Sequence, residues 1–105
     1  MQTKYGELPN ELVTKNESNL IDQIFRLLPY KEYHIEGIDL DYCFETLQFR
    51  ITGMARIFPQ YPEWLTIMCL LEAAKTESNF RLYRKAILDC CSMVKEIQDS
   101  HAGSL

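Results

Sequence analysis

Residues 40–58, LDYCFETLQFRITGMARIF, decide the fold. Leu40, Phe44, Leu47, Ile51, Met54 and Phe58 recur at intervals of 4-3-4-3-4, an apolar seam along one side of a helix. Asp39 or Asp41 supplies the N-cap and an acidic first turn, and Pro59 and Pro62 bracket the stop. The spacing predicts a helix over 39–58.

Working towards the C-terminus, a second helix is expected over 62–75. Between Trp64 and Ala74 only Thr66 and Glu72 are polar, so this helix reads as the central, most buried one. It is too short to cross a bilayer, which needs about 20 apolar residues. A further helix is expected over 77–98, capped by Thr76 or Ser78, with Phe80, Tyr83, Ile87, Cys90, Val94 and Ile97 as its seam. Glu77–Arg81, Lys85–Asp89 and Lys95–Asp99 stand at i,i+4 on its polar side.

Towards the N-terminus, Leu20, Ile21, Ile24, Phe25 and Leu28 predict a helix over 18–28, started by Asn16 or Ser18 and ended by Pro29. Residues 30–38 read as a loop with some alternation of a short strand. Residues 1–16, broken by Gly6 and Pro9, read as an irregular arm, and residues 100–105 as a frayed tail. The expected architecture is a single all-α domain over 1–105, a compact four-helix bundle. Its 39–58 and 77–98 helices are expected to pack along their full length.

Composition narrows the function. With 11 Lys and Arg against 15 Asp and Glu the chain is acidic, which disfavours nucleic acid as a partner. No apolar run stands near the start, so neither a signal peptide nor a membrane association is expected. Cys43, Cys69, Cys90 and Cys91 all fall in helical, apolar surroundings without zinc-ligand spacing. They read as free thiols acting as small hydrophobes, which implies a reducing, cytoplasmic setting. No phosphate-cradling or nucleophile-elbow motif is present, and the only histidines are His34 in the loop and His101 in the tail. An enzyme is not expected, nor a cofactor.

The most unusual composition lies at 32–45. Glu32, Glu36, Asp39, Asp41 and Glu45 stand there without a Lys or Arg, beside Tyr33 and Tyr42. Three readings compete: a site for a hard metal, an acidic surface that steers a basic protein, and a solvated loop with helix-capping acids. The EF-hand pattern is absent, so no metal is assigned. A second feature lies on the far side of the 39–58 helix. At about 100° per residue from Leu40, Tyr42, Phe49 and Gly53 fall near 200°, 180° and 220°, opposite the seam. Arg50 and Arg56 flank this strip, which is covered either by the first helix or by a partner or second copy. Arg81, Arg84 and Lys85 form the one dense basic cluster.

These residues carry no known family motif. The expectation is a small acidic protein-binding regulator or inhibitor, of the immunity-protein, antitoxin or phage-inhibitor kind, masking a basic surface through Glu32, Tyr33, Glu36, Asp39, Asp41, Tyr42 and Glu45. The alternative is an assembly subunit that forms a helical homodimer through Tyr42, Phe49, Gly53 and Arg56. An acidic metal-binding module comes after both.

Overall fold

The computed structural model of the chain describes residues 1–102, which form four helices and one small hairpin. The helices are α1 (Asn10–Glu32), α2 (Leu40–Ile57), α3 (Glu63–Lys75) and α4 (Phe80–Ala102). The hairpin strands are β1 (Gln2–Thr3) and β2 (Gly6–Glu7), paired antiparallel with Gln2 opposite Glu7. The all-α bundle read from the sequence is the architecture observed. Residues 103–105 of the expected tail lie outside the described residues.

The seam of α2 is where its spacing put it. Phe44, Leu47, Ile51, Met54 and the C-cap Phe58 are buried, and Leu40 is half-buried. Asp39 caps the start, its Oδ1 accepting from the Tyr42 amide at 3.1 Å. The helices form a ring in which α4 packs on α1 and α3, and α2 packs on α3 and, more thinly, on α1. This corrects two expectations. Helices α2 and α4 lie diagonally rather than side by side, meeting where Phe44 and Tyr83 stand edge to face at 6.2 Å. Nor is α3 central: Trp64, Ile67, Leu71 and Ala74 face the core, while Leu65 and Cys69 face outward. An apolar composition all round did not make it buried all round.

The arm and helix α1 depart furthest from the sequence reading. Residues 2–7 form the hairpin, and α1 starts at Asn10 rather than near Ser18. Its true seam is Val13, Glu17, Leu20, Ile24 and Leu27, all buried at 4-3-4-3 spacing. A glutamate at the second position hid the pattern. At the other end α1 runs through Pro29 to Glu32, because a proline in the last turn forfeits a single helical bond while Leu27 and Leu28 stay in the core. The Pro29 carbonyl still accepts from the Tyr33 amide at 2.9 Å.

Helix α4 also shifts. It begins at Phe80, capped by Asn79, whose Oδ1 accepts from the Arg81 and Leu82 amides at 2.9 and 3.3 Å. Glu77 therefore lies before the helix, where it accepts from the Asn79 amide instead of pairing with Arg81. The Lys85–Asp89 and Lys95–Asp99 pairs form, at 2.9 and 3.3 Å. The helix continues to Ala102, so residues 100–102 are ordered helix rather than tail.

The hairpin closes one end of the bundle. The Lys4 amide donates to the Ile57 carbonyl at 2.9 Å, and Gln60 Nε2 to the Gln2 carbonyl at 2.9 Å. Its turn requires Gly6, whose φ of +129° is strained for any side chain. No helix among the described residues is long and apolar enough to cross a membrane.

Candidate functional site

Residues 33–39 reverse the chain between α1 and α2 at the end of the bundle opposite the hairpin. Two left-handed residues make the reversal, His34 with φ +47° and Gly37 with φ +83°. The Ile38 amide closes a turn on the Ile35 carbonyl at 3.3 Å. Every residue from Glu32 to Asp39 is exposed, as are Asp41 and Glu45 on the first turns of α2. Among the described residues none of Glu32, Glu36, Asp39, Asp41 and Glu45 is in an ion pair. Asp39 alone has a local task, as the cap of α2.

Apolar groups sit among these acids. Tyr33 is 68% exposed and Tyr42 66%, and Ile35 and Ile38 are also exposed. The isoleucines escaped the sequence reading, which took 30–38 for a loop with some alternation of a short strand; the signal was an isoleucine beside each loop acid. Apolar side chains open to water thus stand interleaved with carboxylates at this tip.

A small groove opens from this tip along the α1–α2 seam. Gln23, Arg26 and Tyr30 line it from α1, and Tyr42, Cys43, Thr46 and Leu47 from α2. Its volume of about 210 Å³ falls short of the roughly 300–1,000 Å³ usual for a small-molecule site and suits one inserted side chain. Arg50 of α2 reaches across, donating from Nη1 to Asn19 and Gln23 at 3.1 and 2.7 Å and from Nη2 to Asn16 at 2.9 Å.

The strip on the far side of α2 is not covered by α1, contrary to one of the two readings. Phe49 is 81% exposed, Arg56 is exposed, and a Cβ built on Gly53 meets nothing within 4 Å. The structure thus brings Tyr42, Phe49, Gly53 and Arg56 onto one open face and Glu32, Tyr33, Glu36, Asp39, Asp41 and Glu45 around one end of the bundle. Tyr42 belongs to both.

The remaining chemistry-bearing groups lie elsewhere. His101 is no tail residue: it is 6% exposed, and its Nε2 stands 2.6 Å from Oε1 of the fully buried Glu17. Burial pushes the Glu17 carboxyl above its ordinary range, and the hydrogen bond and charge of His101 draw it partly back. Burial also raises the Cys90 thiol to about 12 and Cys91 to about 11, the neighbouring Cys91 and Asp89 adding to the former and Asp22 to the latter. Cys43 moves up as well, through burial and then the charge of Asp39. All four cysteines are free, yet Cys69 is exposed, which corrects the expectation that all four pack as hydrophobes. Among the described residues no three His, Cys, Asp or Glu side chains gather in a geometry that holds a metal.

No protein-family model, curated protein or solved structure matches this chain.

Proposed function

We propose that the protein is a small protein-binding regulator that masks a basic surface of its target with the tip formed by residues 32–45. The observation that carries this reading is the mixture at the tip: five carboxylates that form no ion pair among the described residues, set among exposed Tyr33, Ile35, Ile38 and Tyr42. Carboxylates at a rim accelerate encounter with a cationic surface and lose that effect as salt screens them. Desolvated aromatic groups then hold the complex, since hot spots are mostly aromatic or Arg. Tyr42 is placed for that role, because it borders both the acids and the groove.

Two further facts favour binding over chemistry. The thiols of Cys90 and Cys91 are held protonated by burial, and the thiolate is the nucleophile. The buried histidine is engaged with Glu17 in the bundle interior. A cytoplasmic inhibitor of the immunity-protein, antitoxin or phage-inhibitor kind has the size and charge for this task.

The test starts from immobilised protein and native lysate, with Glu36→Gln/Asp39→Asn/Asp41→Asn and Tyr42→Ala variants in parallel. A partner retained by the parent is identified by mass spectrometry, and its association is then timed at low and high salt. The triple amide is expected to slow association and flatten its salt dependence, and Tyr42→Ala to speed dissociation. Equal low-salt association rates for parent and triple amide would refute the reading.

A further inference from the structure

The open face of α2 is self-complementary. Tyr42, Phe49 and Arg56 stand seven residues apart on it, with Glu45, Thr46, Thr52 and Gly53 filling the turns between. Phe49 is the midpoint. On its N-terminal side the face is acidic and aromatic, through Glu45 and Tyr42; on its C-terminal side it is basic and flat, through Arg56 and Gly53. Arg56 and Glu45 are both exposed and neither is in an ion pair among the described residues, whereas Arg50 is fully engaged with α1. We infer that this face docks on the same face of a second copy, the two α2 helices crossing antiparallel at Phe49.

A two-fold axis through Phe49 places residue positions symmetrically about it. Tyr42 then lies opposite Arg56 of the other copy, a pairing of a cation with an aromatic face. Glu45 lies opposite the partner's Gly53 and within one helical turn of its Arg56, close enough for an ion pair. The two Phe49 rings meet at the axis. A parallel arrangement sets like charge against like and loses both pairings. An isologous contact of this kind requires each patch to complement itself, which is what the reversal of charge about Phe49 supplies.

Gly53 is the second, independent observation. Glycine inside a helix weakens it relative to alanine, and nothing inside this chain recovers that loss, since a Cβ there meets no atom within 4 Å. An approaching helix does recover it, because the missing side chain lets the backbones draw close beside Phe49. The antiparallel α2 pair also sets the two helix dipoles side by side in opposite directions, the favourable alignment.

The face shares Tyr42 and Glu45 with the tip at 32–45, whereas Phe49, Gly53 and Arg56 lie outside that tip, so variants at these three test the dimer apart from the proposed partner site. The experiment is sedimentation equilibrium over a concentration series up to the millimolar range. The parent should move from the 12.3 kDa chain mass towards twice that value. Phe49→Glu and Gly53→Leu should each weaken the dimer by roughly tenfold or more, with unchanged helical circular dichroism because Phe49 is exposed and a Cβ at Gly53 meets no neighbour. Glu45→Arg alone and Arg56→Glu alone should weaken it similarly, while the Glu45→Arg/Arg56→Glu double variant restores the affinity, since the charges are exchanged across the axis. A parent that remains monomeric throughout, a dimer indifferent to Phe49→Glu, or a double variant as weak as its parents would each overturn the inference.

Discussion

The two ends of the bundle treat their polar groups in opposite ways. At the hairpin end Glu17, Gln98 and His101 are drawn inside: Glu17 meets His101, and Gln98 donates to the Thr14 carbonyl and to Ser18 at 3.1 and 3.0 Å. The Trp64 indole is fully buried, and Tyr61 stands edge-on to His101 at 6.5 Å. At the loop end the carboxylates are exposed and, among the described residues, form no ion pair, while Phe44, Tyr83 and Phe80 pack against one another in the bundle. Most of this buried network is satisfied and ties the helices together, although Glu17 Oε2 and Trp64 Nε1 find no hydrogen-bond partner. An exposed charged tip contributes little to stability and leaves its groups open to another molecule. One end therefore serves the fold, and the other contributes little to it beyond the Asp39 cap.

The sharpest way to break this contrast is to cut each end in turn. Trp64→Ala should cost about 3–5 kcal/mol in urea unfolding followed by far-ultraviolet circular dichroism, whereas Tyr33→Ala should change stability by less than about 0.5 kcal/mol. Comparable losses at both ends would dissolve the distinction. Next in size, His101→Ala leaves the Glu17 carboxyl without its partner and should cost about 1–3 kcal/mol. The pH dependence sharpens that result. The folded-state pKa of Glu17 is raised above its ordinary 4.5, so this group favours the fold below that value and withdraws its support as pH rises through the raised one. Glu17→Gln removes the titration, so melting temperatures from about pH 4 to about pH 8 should shift progressively in the variant's favour. A constant offset would mean that the carboxyl titrates alike in folded and unfolded chains. Smaller still, the Glu36→Gln/Asp39→Asn/Asp41→Asn variant should stay within about 0.5 kcal/mol of the parent, because asparagine caps α2 nearly as well as aspartate. The smallest effect belongs to Cys69→Ser, expected to leave stability unchanged. It should nonetheless abolish the fast phase of thiol labelling, leaving the slow reaction of the buried thiols; a fast phase that persists would place the reactive thiol elsewhere.

The same contrast explains what the sequence disclosed. Helix α2 was legible because each seam position is apolar, and the acidic segment was legible because solvated charges are read directly from composition. The hairpin end was not. There the helical seams of α1 and α4 continue through Glu17, Gln98 and His101, so hydrophobic periodicity failed in both helices at the same place. It dropped the first turns of α1 into an arm and the last turn of α4 into a tail. The diagonal placement of α2 and α4 was illegible for another reason: two matching seams specify that each helix faces a core, not which neighbours share it. Pro29 shows the remaining limit, since a breaker one turn from the end of a helix loses to the burial of Leu27 and Leu28.

The ring order has a consequence for how the chain is made. Helix α4 contributes Tyr83, Ile87, Cys90, Val94 and Ile97 to the core and is the helix that seals both α1 and α3. It also leaves the ribosome after the other three. A nascent chain that has reached Asn79 thus carries the apolar stripes of α1 and α3 uncovered, and the bonds joining Glu17 to His101 and Thr14 to Gln98 have no second half. Folding waits for the last 23-residue helix, and chains stalled or cleaved before it are substrates for chaperones and proteases rather than smaller folded proteins.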